Sequence, residues 1–94
     1  MIRTVRVSSR ARKDLRSVPA YLADKLAAWS KLVAEYGLEE VRKRRGYRDE
    51  SLHGNRNHQR SIRLNDAYRA IYEIQSDGAV EFVSVEEVNK HDYR

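Results

Sequence analysis

Tyr68-Arg69-Ala70-Ile71-Tyr72-Glu73-Ile74, Ser76-Asp77-Gly78 and Val80-Glu81-Phe82-Val83-Ser84-Val85 decide the fold. Two runs rich in β-branched and aromatic residues flank an Asp-Gly pair. Glycine adopts the positive φ of a tight hairpin, so the pattern predicts two antiparallel strands. Immediately upstream, Arg60-Ser61-Ile62-Arg63-Leu64 reads as a third strand, and Asn65-Asp66 supplies another tight turn. Successive side chains of a strand point to opposite faces. Tyr68, Ala70, Tyr72 and Ile74 therefore share one face, and Arg69, Ile71 and Glu73 share the other. The first face is the more apolar and is assigned to the core. That leaves Arg69 on an open face.

The N-terminal half supplies what covers the apolar face. Arg3 to Val7 alternates and reads as a short strand, and Ser8 or Ser9 can cap a following helix through its hydroxyl. Ala11, Leu15 and Val18 fall on one helical face. Pro19 interrupts, and suits the first turn of a new helix. Leu22, Leu26, Trp29, Val33 and Tyr36 then recur at helical spacing as an apolar stripe, with Gly37 as its C-cap. Leu38 to Arg45 reads as one further short helix, Leu38 and Val41 being three apart. Gly46 to His58 is a polar loop, and Glu86 to Arg94 a short polar tail. The order is βααβββ: an α+β domain, residues 1–94, with a small, mainly antiparallel sheet and two helices packed on one face.

Composition bounds the chemistry. Ninety-four residues make one domain without room for a large cofactor cavity. There is no cysteine, which excludes disulfides, thiolate metal sites and cysteine nucleophiles. No apolar run is long enough to span a membrane, and the first residues lack the apolar core of a signal peptide, so a cytoplasmic protein is expected. The net charge is +5, and it is unevenly spread. Residues 1–19 carry +5, 20–41 carry −2, 42–69 carry +6 and 70–94 carry −4. Two basic blocks of this kind attract polyanions through counterion release, or are simply solvated faces.

Four groups of residues can carry chemistry. Arg69 offers a guanidinium to a phosphate or a developing oxyanion; the bland alternative is a cross-strand ion pair with Glu73 or Glu81. Lys90, His91, Asp92 and Tyr93 place a cation, an imidazole, a carboxylate and a phenol within four residues. Imidazole titrates near neutrality and suits general acid–base work, although a polar C-terminus is also where chains fray. His53, Arg56 and His58 lie in a loop next to Arg60 and Arg63, a combination that suits phosphate contacts better than metal, for which the spacing is wrong. Tyr47 lies outside the helical stripe and can stack on a base, while Trp29 and Tyr36 belong to the core. Glu50 is a further candidate base. Alternation puts Arg60 with Ile62 and Leu64, and Arg63 on the opposite face, so both face one ligand only if a bulge intervenes.

The order βααβββ, the basic loop and the strand Tyr68-Arg69-Ala70-Ile71-Tyr72 resemble the RelE/ParE-type toxins of bacterial type II toxin–antitoxin systems. Gln59 to Leu64, Val85 to Tyr93, Gly37 to Val41 and Leu52-His53-Gly54 are similar to the HigB/RelE-like branch. The resemblance spans essentially the whole chain. It implies a metal-independent, cofactor-free mRNA interferase acting on the ribosome, in which a ribose 2′-OH attacks the adjacent phosphate. Carried over, Arg69 would stabilise the charge on phosphorus. His91 would give or take a proton, Tyr93 would position the substrate, and Lys90 and Asp92 would support them. His53, Arg56, Arg60, Arg63 and Tyr47 would hold RNA. The resemblance also implies a cognate antitoxin, with operator DNA met only through the antitoxin complex. Two other readings are a ParE-like poison of DNA gyrase and a non-catalytic basic binding module. The His-Tyr pair counts against the first, and in the second it would be dispensable.

Overall fold

The three hairpin strands form, and two of them run further than alternation suggests. In the computed structural model, which describes residues 1–90, the elements are β1 (Val5–Val7), α1 (Ser9–Arg16), α2 (Tyr21–Tyr36), α3 (Leu38–Arg42), β2 (Glu50–Ser51), β3 (Gln59–Arg63), β4 (Tyr68–Asp77) and β5 (Val80–Lys90). Single 3-10 turns cover Arg45–Tyr47 and Gly54–Arg56. The sheet order is β1-β5-β4-β3-β2. β1 runs parallel to β5 at one edge, and every other pairing is antiparallel. The α+β class expected from βααβββ holds. The five-residue α3 is the further short helix expected from Leu38, ending at Arg42; the two-residue β2 is an addition to that order.

One face of the sheet carries the core. Leu22, Leu26, Trp29 and Val33 of α2 and Leu38 and Val41 of α3 pack against it. The sheet answers with Ile62, Ala70, Tyr72, Val83, Val85 and Val88. The Trp29 ring lies tilted on Tyr72, with centroids 5.3 Å apart. Each fully buried aliphatic side chain is worth roughly 1.5–3 kcal/mol of transfer free energy. The α2 stripe contributes as its spacing predicts, with one correction: Tyr36 is exposed, and the Arg44 guanidinium lies over its ring. A last-turn side chain overhangs the sheet and finds a surface cation instead.

Local chemistry closes the ends. Ser8 caps α1 through its hydroxyl, which accepts from the Ala11 N–H at 3.0 Å. Gly37 ends α2 with φ +86, its N–H donating to Val33 O. The hairpin between β4 and β5 turns at Gly78, φ +64, one residue later than the Asp-Gly centre that the sequence suggests. Past the end of β1, the edge of β5 is covered by α1, whose Asp14 carboxylate accepts from the Val88 N–H at 3.0 Å.

The predicted polar tail from Glu86 is corrected as far as Lys90, because β5 continues through it. The reason is a bulge. Tyr72 pairs with Val85 and Ile71 with Glu87, so Glu86 is an extra residue on β5. Strict alternation from Val85 would send Val88 outward and Glu87 inward. The bulge reverses both, burying Val88 in the core and placing Glu87 on the open face.

Candidate functional site

The open face is built from facing rows of paired residues. One row crosses the sheet as Glu50, Ser61, Ile71 and Glu87, on β2, β3, β4 and β5. The next row is Arg63, Arg69 and Asn89. A third is Gln59, Glu73 and Ser84. Arg69 therefore stands directly opposite Arg63 and not opposite Glu73 or Glu81. Like charges in a facing pair cost stability. Arg63 is ion-paired to Asp66 in the turn between β3 and β4. Arg69 donates to the Ser61 hydroxyl at 3.3 Å, and no ion pair to it occurs among the described residues. The pair concentrates positive charge at the point where a polyanion crossing the sheet would lie.

A second cluster braces this surface. The Glu87 carboxylate, with its side chain only 13% exposed, accepts from Arg56 at 2.7 Å and from Asn89 at 2.7 Å. Arg10 of α1 approaches it to 3.6 Å. The Asn89 hydrogen bond, helped by the Arg56 and Arg10 charges, holds the Glu87 carboxyl below its ordinary range, against the effect of burial. Arg56 also donates to Gln59 Oε1 at 2.9 Å, and Gln59 donates to Glu73 at 3.0 Å. Through these bonds the loop carrying His53 and His58 is tied to the sheet. Both histidines are exposed. Beneath the polar cover, Ile71 and Phe82 are nearly buried, the latter under the Arg6 guanidinium at 4.1 Å.

Arg60 points the other way. β3 is regular, so Arg60 faces the helix side with Ile62, paired with Tyr72 across the strands. There it donates to Asp49 at 2.5 Å; the Asp49 side chain is 1% exposed. Tyr72 donates its hydroxyl proton to the same carboxylate at 2.6 Å, and Arg42 donates to the Tyr72 oxygen at 3.3 Å. Burial, and then the bond to Asp49, push the Tyr72 phenol well above its usual range, so it remains a proton donor. This cluster is a clamp. It pins the start of β2 to the sheet and so fixes Glu50 on the open face beside Ser61.

The expected site residues are thus divided. Arg69, Arg63 and Arg56 share the open face, and Arg60 does not join them. By its pairing with Tyr68, Lys90 lies on the opposite face from Arg69. Tyr47 is half-buried against the edge of the core and lines a cleft that Arg63 also lines. His91, Asp92 and Tyr93 lie outside the described residues. Sequence reasoning passed over Ser61, Glu87 and Asn89. The last two sit behind the bulge, where alternation breaks. Among the described residues, no three His, Asp or Glu side chains gather as a metal site. No described helix is long and apolar enough to cross a membrane.

This arrangement has known counterparts. Residues 5–88 match the family model described as the ParE toxin of type II toxin-antitoxin system, parDE. No curated protein matches the chain by sequence. Among solved structures, the chain is similar to the YafQ toxin in the Escherichia coli DinJ-YafQ toxin-antitoxin complex, at 17% identity and TM-score 0.71 over 97% of this chain and 94% of that one. A YoeB/ParE toxin from Agrobacterium tumefaciens superposes at TM-score 0.69 with 14% identity, over 95% and 99% of the two chains. The toxin-antitoxin complex RelBE2 of Mycobacterium tuberculosis gives TM-score 0.61 and 24% identity over 94% and 96%. These likenesses show the fold, and the family match spans the helices, the facing Arg63 and Arg69, and all but the last two residues of the sheet: the chain belongs to the ParE toxin family of type II toxin–antitoxin systems, within the RelE/ParE superfamily.

Proposed function

We propose that this toxin is an endoribonuclease of the HigB/RelE-like kind, cleaving mRNA on the ribosome in the cytoplasm, with the open sheet face as its working surface. The observation that carries the reading is Arg69. It stands beside a second arginine, bonded only to a neutral hydroxyl among the described residues, with the Glu50 carboxylate one strand beyond Ser61 on the same face. In the reaction a base removes the ribose 2′-OH proton and the 2′ oxygen bonds to the adjacent phosphorus. The bond from phosphorus to the 5′ oxygen breaks and that oxygen takes a proton. The products are a 2′,3′-cyclic phosphate and a 5′-OH. Arg69 neutralises the charge that builds on the phosphorane oxygens. His91 supplies the proton transfer at one end and Tyr93 positions the substrate, with Asp92 in support; Lys90, on the face opposite Arg69, takes no part in the step. Glu50 is placed to serve as base. Arg63, Arg56, His53 and Tyr47 hold the strand. Arg60 serves the clamp under β2.

The proposed partner is a cognate antitoxin whose acidic segment covers the same basic face and so excludes RNA, with operator DNA bound only through the resulting complex. A second reading, poisoning of DNA gyrase, is favoured by the family model's own description as a ParE toxin. One paired experiment separates the two. Purified protein is added to a translating extract and, separately, to gyrase and relaxed plasmid. The ribonuclease reading expects cut mRNA and normal supercoiling. Blocked supercoiling with intact mRNA would replace it with the gyrase reading.

A further inference from the structure

A cleft of about 400 Å³ lies at the end of β3, between the first turns of α2 and the turn that follows β3. β2 reaches only as far as the partner of Ser61, so no strand covers the edge of β3 at Ile62 and Arg63. Leu64 lines the cleft from the core side. Tyr21 and Tyr47 supply aromatic rings, and the Tyr21 side is open, the residue being 53% exposed. The Tyr21 hydroxyl accepts from Asn65 Nδ2 at 2.5 Å, while Asn65 Oδ1 accepts from the Ala67 and Tyr68 amides. The amide orientation is therefore fixed, leaving one Nδ2 proton and the Tyr21 proton to offer. Lys25, one helical turn after Tyr21, has no partner among the described residues. Arg63 forms the mouth and stands side by side with Arg69.

We propose that this cleft is a nucleotide subsite for the strand bound at Arg69, taking the base and phosphate of a nucleotide flanking the scissile bond. It rests on the ribonuclease reading. The chemistry fits a single-stranded nucleotide: an aromatic face for the base, a donor for a base-edge acceptor, and two cations for the phosphates on either side. Asp66 at the rim pairs with Arg63 and opposes a phosphate, so a bound phosphate has to compete with that carboxylate for the Arg63 guanidinium. A strand leaving Arg69 across Arg63 enters the cleft past Asp66, the one carboxylate among its lining residues.

The test uses an mRNA whose cleavage position has been mapped, made uncleavable by a 2′-deoxy nucleotide there, and carrying 5-iodouridine at successive positions. It is presented free and on ribosomes. Irradiation should join one flanking position to Tyr21 or Tyr47. Tyr21→Ala and Lys25→Ala should each weaken binding about tenfold, while Tyr21→Phe, which keeps the ring, should bind nearly as wild type. An RNA too short to reach past Arg63 should not distinguish the variants. Equal affinity for all variants, or cross-links mapping elsewhere, would overturn the cleft. If wild type still cuts mRNA in that case, the ribonuclease reading stands alone. A wild type that neither binds nor cuts RNA would remove both.

Discussion

Arg69 owes its environment to pairing register. A one-residue slip of β4 would exchange Arg69 for Ala70 on the open face and send the guanidinium into the core. Arg69 faces Arg63, whose charge Asp66 meets from the exposed turn on the other side, so the pair stays net positive, and that is the physical reason to expect an anionic ligand there. Arg69→Lys keeps the charge and loses the planar fork, so cleavage should fall about tenfold or more while binding changes little. A KM-against-kcat comparison checks this. Glu87 makes a different kind of contribution. Its carboxyl titrates below the ordinary 4.5, so the folded protein favours its charged form. That stability is fully present above pH 4.5 and is lost as pH falls through the depressed value. Glu87→Gln should therefore be destabilised relative to wild type near neutrality, with the gap narrowing in acid, as read from urea midpoints across pH.

Elements differ in how far local sequence specifies them. The α2 stripe from Leu22 to Val33 and the two hairpins were legible because periodicity, cap and turn residues agree. The face assignment of Arg69 followed from the same alternation. The continuation of β5 was not legible. Glu86-Glu87 breaks the pattern, and only the cross-strand partners Ile71 and Tyr72 reveal that one residue is bulged out. β2 was equally hidden. Two residues carry no periodicity, and what holds them is the buried Asp49 between Arg60 and Tyr72. Asp49→Asn removes the charge that both partners satisfy and should cost about 3 kcal/mol. It should also raise hydrogen exchange at the Leu52 amide, which bonds to Gln59 O beside β2. Catalysis should fall with it, if Glu50 acts from the position the clamp holds.

At the scale of the whole molecule, the +5 charge resolves into distinct surfaces. Part of the basic excess is spent internally or on braces: Arg60 on Asp49, Arg56 on Glu87, Arg42 on Tyr72. On the open face a polyanion meets Arg69, Arg63 with Asp66 on its far side, the half-exposed Arg56 beside Glu87, and the cleft at the end of β3. RNA binding should accordingly fall with salt, with a shallower slope for Arg69→Ala than for wild type. For the proposed reaction a small domain suffices, because a strand laid across a sheet need not be enclosed. The most direct measurement is single-turnover cleavage of ribosome-bound mRNA by wild type and Arg69→Ala, with both unfolding midpoints recorded. The expected result is a fall of about 10²–10³-fold in cleavage rate with a midpoint no lower than that of wild type, since the substitution relieves the repulsion with Arg63. Equal cleavage rates for the two proteins would contradict the assignment of the open face as the active surface.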